Sequence, residues 1–335
     1  MVPRMTRSDA PLPPFTLANR VGALPPESPM DAYVRLGVAL RSEVERLLPD
    51  DWTWEGKRSL DFGAGAGRAL RHFLDETPAA EFWGCDIHAE SIAWLNEHLA
   101  PIRGVVCGEG PGLPFEDESF DLAWATSVFT HLTDHWSGWL LEMHRLLRPG
   151  GLLIATFLGE GMSQTIAQER WDESRVGMVA FRYGESFDVG GPNVLMSPWW
   201  IRARWGRAFD IVELEPSGFM GERGTGHGVV VARKRPVDVT VADLERPEPD
   251  EPREWASLLH QQRHLFRELV EQRSIARASR AGADAVSAPP EPSFELPQDV
   301  RDVLELVPDL IEENRQLMTR MQELEQDVAR LSPKG

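Results

Sequence analysis

Between residues 58 and 235, short apolar runs alternate with amphipathic stretches, and this alternation limits the fold more than any other feature of the chain. Such a pattern is the signature of βαβ units, in which helices cover a largely parallel sheet. Strands are expected at 58–62, 81–86, 105–107, 120–126 and 152–157, with helices at about 68–76, 89–99 and 135–147. The last two runs, 209–214 and 229–233, are joined only by a glycine-rich segment too short for a crossover helix. They are expected to pair as an antiparallel hairpin at the sheet edge. Ahead of the first strand, Ser28 and Pro29 make an N-cap with proline in the first turn. Tyr33, Val34, Leu36, Leu40, Val44, Leu47 and Leu48 then mark an amphipathic helix ending near Pro49.

Outside this block the composition changes. Residues 1–27 carry six prolines and no periodicity, as a flexible or surface-draped arm would. The formal charge of -18 argues against a nucleic-acid partner, since affinity for phosphates is built from Lys and Arg. Residues 236–335 hold 21 acids against 12 bases, half of that excess in under a third of the chain. Only Lys57, Lys234 and Lys334 are lysines among 35 basic residues, which reads as a bacterial gene of high GC content. No stretch approaches the roughly 20 apolar residues of a membrane span. The N-terminus has early arginines but no apolar segment behind them, so a cytoplasmic protein is expected. Cys85 and Cys107 are too few for a disulfide framework, and no metal site is read.

The tail divides into an acidic linker (236–252), an amphipathic helix (253–280), a proline-rich linker (281–298) and a coiled-coil helix (299–335). In the helix, Trp255, Leu258, Leu259, Leu265, Phe266, Leu269 and Ile275 share one broad face. In the last segment Val303, Val307, Leu310, Asn314, Leu317, Met321, Leu324, Val328 and Leu331 alternate steps of four and three, which is a heptad seam. Asn314 at an a position suits a parallel pair in register, so a homodimer through 308–331 is the expectation; the alternative is a single amphipathic helix folded back on the protein.

Residues 60–68, LDFGAGAGR, lie at a predicted strand-to-helix junction. Glycines 63, 65 and 67 let the backbone turn sharply and approach a ligand closely. Arg68 stands one place beyond the third glycine, and acidic Asp61 precedes the loop, where a pyrophosphate would be repelled. The loop therefore suits a nucleoside ligand without phosphates. Asp86, ending the next strand, can accept bonds from both hydroxyls of a ribose. Glu109 follows the third strand and Ser127 the fourth.

In order and spacing, LDFGAGAGR, GCDIH, CGEGPGLPFEDESFDLAWATSVFTHL and LLRPGGLLIATF resemble the motifs of class I S-adenosylmethionine-dependent methyltransferases. The resemblance spans about 34–234, within a domain drawn at 28–235. It implies an α/β, Rossmann-like seven-stranded sheet with the last strand antiparallel, followed here by the helical, coiled-coil tail. It also implies that Asp61, Gly63, Ala64, Gly65 and Gly67 border the methionine moiety and sulfonium. Asp86 would hold the ribose, Ile87 would stack beside the adenine, Glu109 would take the adenine amino group, and Ser127 would lie beside the reacting methyl.

Methyl transfer from a sulfonium is an in-line displacement, so alignment and exclusion of water are the main tasks. A hydroxyl acceptor also needs a base, for which His131 is the first candidate; its alternative is a histidine that only packs its loop. His227 and Tyr183 are secondary, and Tyr33 is a candidate lid over the sulfonium. The segment 162–205 is expected to form the acceptor pocket, with Trp171, Phe181, Tyr183, Phe187, Trp199 and Trp200 as faces for a sugar ring. The reading is thus methylation of an acceptor hydroxyl, on a sugar or glycan. The alternatives are a small-molecule secondary metabolite as acceptor, a non-catalytic scaffold that only binds the cofactor, and a nicotinamide-dependent oxidoreductase, which Arg68 disfavours.

Overall fold

Seven strands build one sheet whose two faces each bury alternate residues of the same runs. The computed structural model describes residues 10–21, 24, 27–183, 185, 191–221 and 226–283. The strands are β1 (Arg58–Phe62), β2 (Glu81–Asp86), β3 (Arg103–Val106), β4 (Phe120–Ala125), β5 (Leu147–Phe157), β6 (Met178–Phe181), β7 (Asn193–Met196), β8 (Phe209–Glu215) and β9 (Gly228–Lys234). The large sheet runs β3-β2-β1-β4-β5-β9-β8. Its first five strands are parallel, and β9 is antiparallel to both β5 and β8.

Side chains alternate across a strand, and the core follows that period of two. Leu60, Phe62, Ala123, Ala125, Leu153 and Ala155 face one side, under Trp139, Leu140 and Met143 of α4 (Trp136–Leu146). Leu122, Trp124, Leu152, Ile154, Val229 and Val231 face the other. There they meet Leu40 and Val44 of α2 (Pro29–Arg46) and Leu95 of α3 (Ala89–His98). A four-residue helix, α1 (Phe15–Ala18), precedes α2 in the arm. Ala10, Leu17 and Ala18 are buried, and the Arg71 guanidinium donates to the carbonyls of Ala10 (2.6 Å) and Pro11 (3.0 Å), so the described part of the arm is draped on the domain.

The helix expected at 68–76 is a 3-10 helix, Leu70–Glu76. Residues 70 to 74 are all buried, so packing on every side rather than one amphipathic face governs their form. Between β5 and β8 the chain inserts α5 (Glu160–Ile166), the antiparallel pair β6–β7 and α6 (Pro198–Trp205).

The acidic linker expected at 236–252 is docked rather than free. It contains α7 (Val241–Glu245), opened by a reciprocal Thr240–Asp243 capping box, and Leu244 is fully buried. The Arg207 guanidinium donates to the carbonyls of Leu244 and Arg246 and pairs with Glu248 at 2.9 Å. Then comes α8 (Arg253–Ala283), of which the part up to Ser274 belongs to the same compact unit as the sheet. From residue 284 onward, the proline-rich linker and the coiled-coil segment with its 308–331 seam lie outside the described residues. Among the described residues no helix is long and apolar enough to cross a membrane.

Candidate functional site

The chain leaves β1 toward β2 and β3, then returns to β4 on the other side of β1. At such a reversal a crevice opens beyond the carboxyl ends of the strands. A cleft of about 380 Å³ occupies that place, within the range of small-molecule sites. It is lined by Asp61, Gly63, Ala64 and Gly65 after β1, Asp86 and Ile87 after β2, Glu109 after β3, and Ser127 and His131 after β4.

The glycine-rich turn works through its backbone. Gly63, Gly65 and Gly67 have φ of +86°, +53° and +78°, values that L side chains rarely adopt. The N–H groups of Gly63 and Ala64 donate to the Cys85 carbonyl at 2.8 and 3.0 Å, that of Gly65 to the Asp86 carboxylate at 2.8 Å, and that of Gly67 to the Ala64 carbonyl at 2.9 Å. A phosphate cradle needs such donors aimed at the ligand. Here all four are bound within the protein, so the turn does not offer a pyrophosphate such a cradle.

It does fit an uncharged nucleoside end joined to a cationic group. Among the described residues Asp86 receives only backbone donors, Gly65 N–H on one oxygen and His88 N–H (2.9 Å) on the other, leaving each oxygen capacity for a ribose hydroxyl. Ile87 is partly exposed at the cleft wall. Glu109 has its carbonyl fixed by the Trp139 indole N–H at 2.8 Å, while the residue borders the cleft. Asp61 is buried, and burial pushes its carboxyl from an ordinary 3.8 up to about 7, against the opposing influence of Trp124 and Arg68. The Trp124 indole N–H is directed at this carboxyl but reaches no partner in full hydrogen-bond geometry. A buried carboxylate facing a cleft is costly unless a cation joins it.

The opposite edge carries the groups suited to an acceptor. Ser127 is held at φ +56°, a strained value for serine, by its N–H bond to the Thr156 hydroxyl at 2.8 Å. Its own hydroxyl lies 3.4 Å from His227 Nδ1. His131 Nδ1 lies 2.7 Å from the Pro192 carbonyl, which can only accept, so Nδ1 carries the proton and Nε2 keeps its lone pair. Burial holds both imidazoles neutral: it lowers His131 below its ordinary value, and it lowers His227 to about 4 with help from the neighbouring His131.

Four expected residues stand elsewhere. Gly67 does not border the cleft; a Cβ there would lie 2.5 Å from Leu99 Cδ1, so its role is close packing of the loop on α3. Tyr33 is fully buried beneath the loop, its hydroxyl donating to the Ala66 carbonyl at 3.5 Å, and cannot act as a lid. Trp199 is core: its indole N–H donates to the Val176 carbonyl at 3.0 Å and Arg253 stacks on its face. Tyr183 is exposed, away from the cleft lining, with its hydroxyl bonded to Asp134. Trp200 is also buried and Phe187 lies outside the described residues, so the aromatic platform expected for a sugar does not assemble among the described residues.

Arg20 and Arg68 also line the cleft. Arg20 comes from the proline-rich arm, where no periodicity could reveal it. Arg68 was legible only as a departure from the dinucleotide pattern. Among the described residues no group of three or more His, Cys, Asp or Glu is arranged to hold a metal.

Residues 60–155 match the profile of a family described as "Methyltransferase domain". A phthiotriol/phenolphthiotriol dimycocerosates methyltransferase of Mycobacterium ulcerans is 36% identical over 104 residues, which are 31% of this chain and 38% of that protein. A malonyl-[acyl-carrier protein] O-methyltransferase of Methylococcus capsulatus is 34% identical over 119 residues, 34% of this chain and 40% of that protein. The chain thus spans about two fifths of the length of these relatives. A solved S-adenosylmethionine-dependent methyltransferase from Mesorhizobium loti is similar at 18% identity and a TM-score of 0.43, over 58% of this chain and 98% of that one. The segment 60–155 is thus similar to methyltransferase domains, whose methyl donor is S-adenosylmethionine.

Proposed function

We propose that this chain is an O-methyltransferase: with S-adenosylmethionine held by the domain at residues 60–155, it methylates an alcohol oxygen presented at the Ser127–His131 edge of the cleft. One observation carries the oxygen acceptor. His131 is fixed by its 2.7 Å contact to the Pro192 carbonyl with Nε2 unprotonated, on the lining of the cleft. An alcohol must lose its proton as it attacks, and a neutral imidazole held in one tautomer can take it.

When bound, S-adenosylmethionine supplies an electrophilic methyl group on a sulfonium. The residues of the chain do the rest. Asp86 takes the ribose hydroxyls, Glu109 the adenine edge and Ile87 the adenine face. Asp61, at the end of β1, places a carboxylate where positive charge is to be held. Nε2 of His131 receives the acceptor proton. His227, whose Nδ1 faces the Ser127 hydroxyl, keeps that side chain oriented at the cleft edge.

The two relatives are named for dimycocerosates of phthiotriol and phenolphthiotriol and for malonyl-[acyl-carrier protein]. Neither is a glycan, and Tyr33 and Trp199 are buried, so an oxygen of a lipid or acyl chain is favoured over a sugar hydroxyl. The test is transfer of labelled methyl from S-adenosylmethionine to three acceptor sets: hydroxylated lipids, oligosaccharides, and amines of matched size. Label in the lipid alcohols that falls at least about 100-fold in His131→Ala supports the reading. Label in the sugars would restore the glycan acceptor. Label in amines alone, or an unchanged rate in His131→Ala, would overturn the oxygen acceptor and its base.

A further inference from the structure

The part of α8 that packs on the domain does so with its polar face. Glu254 and Ser257 are buried, and Glu254 forms an ion pair with Arg204 in which both side chains are almost fully enclosed. Glu268 accepts the backbone N–H groups of Arg182 (2.7 Å) and Tyr183 (3.3 Å) beside the end of β6, and His264 lies 3.2 Å from it. Of the apolar face recognised in the sequence, Trp255, Leu258, Phe266 and Leu269 point to solvent, joined by Val270, while Leu259 and Leu265 are half-buried. Trp255 is 68% exposed, Phe266 55%, Leu269 53%, Val270 48% and Leu258 37%. A soluble surface rarely keeps a contiguous stripe of this kind without a partner.

We propose that this stripe is a homodimer interface, in which α8 of a second copy packs antiparallel on α8 of the first about a two-fold axis at Gln262. The stripe is self-complementary under that operation, as a two-fold contact requires. Trp255 comes opposite Leu269, Leu258 opposite Phe266, and Gln262 opposite its own copy, where two side-chain amides can bond each other. Arg273, one turn beyond Leu269, comes opposite the acidic turn at Asp250 and Glu251 that leads into the helix. The exposed apolar side chains amount to roughly 500 Å² per copy, so pairing removes about 1,000 Å², at the lower limit of a specific interface. A net charge of -18 opposes the other occupant of such a stripe, an anionic lipid surface.

The experiment uses the full chain. Light scattering over 2–100 μM is expected to show a shift toward twice the 37.6 kDa chain mass, and Trp255→Glu with Phe266→Glu to weaken association at least about 100-fold. Both positions are exposed, and circular dichroism with cofactor binding checks that the fold is intact. Gln262→Cys is expected to form an intermolecular disulfide on mild oxidation, whereas Ala256→Cys, exposed on the same helix but off the stripe, is not. A dimer unchanged in the double variant would place assembly in other segments and overturn the proposal. So would a monomer at all concentrations, or flotation with phosphatidylcholine–phosphatidylglycerol vesicles that the double variant abolishes.

Discussion

Replacing Asp61 by Asn should stabilise the fold at high pH and weaken cofactor binding at the same time. The wild-type carboxyl is buried and raised from 3.8 to about 7. Between those values the folded chain holds a proton that the unfolded chain has released, so stability falls as pH rises across that window and the full penalty remains above it. At about 1.4 kcal/mol for each tenfold change in protonation, the whole window is worth about 4 kcal/mol, and its part between pH 5.5 and pH 8 about 2 kcal/mol. Asn has nearly the same shape and no titration. Urea unfolding of both proteins at pH 5.5, 6.5, 7.5 and 8.5 should therefore show the advantage of Asp61→Asn growing by about 2 kcal/mol across the series. In the wild type, affinity for S-adenosylmethionine should rise with pH over the same range, since the ionised carboxylate favours a cation, whereas in the variant it should be lower and flat. A stability difference independent of pH would mean that Asp61 is not a buried, raised carboxyl and would refute the reasoning.

Gly67→Ala meets both a φ of +78° and a Cβ only 2.5 Å from Leu99 Cδ1, so thermal unfolding should show a loss of about 2 kcal/mol or more, with residual cofactor affinity in the folded fraction. Glu254→Ala leaves Arg204 enclosed without its ion-pair partner and should cost about 3–5 kcal/mol in urea unfolding, whereas the paired change Arg204→Met with Glu254→Leu should recover most of that loss. Because burial depresses His131, kcat measured against pH should be level above the ordinary histidine range and fall only on its acid side, and in His131→Ala that acid limb should disappear.

The strands nearest the cofactor were the most legible part of the sequence. β1 and β2 occupy the residues expected of them, since each is bounded by a turn signal, and Asp61 and Asp86 fall at their carboxyl ends. The glycine-rich turn announced a close approach of backbone to ligand, but not that Gly67 serves α3 instead. β6 and β7 were missed because they form a separate two-stranded pair inside the 162–205 insertion, outside the βα alternation that marks the strands of the large sheet. Tyr33 and Trp199 show a different limit. An aromatic residue in a helical pattern is compatible with a lid, a platform or core, and only the packing around Ala66 and Val176 decides for core. In α8 the sequence marks an apolar face but gives no direction. The Glu254–Arg204 pair and the bonds of Glu268 to the Arg182 and Tyr183 N–H groups just past β6 turn it outward.

Calorimetric titration of S-adenosylmethionine into the wild type and into Asp86→Asn tests the central claim most directly. Asp86 accepts backbone N–H bonds at 2.8 and 2.9 Å, and in the proposed reading the remaining capacity of both oxygens takes the ribose hydroxyls. The account predicts saturable one-site binding to the wild type, at least about 100-fold weaker in Asp86→Asn, and no heat with a nicotinamide dinucleotide. No binding of S-adenosylmethionine by the wild type, or equal affinity in the two proteins, would contradict it.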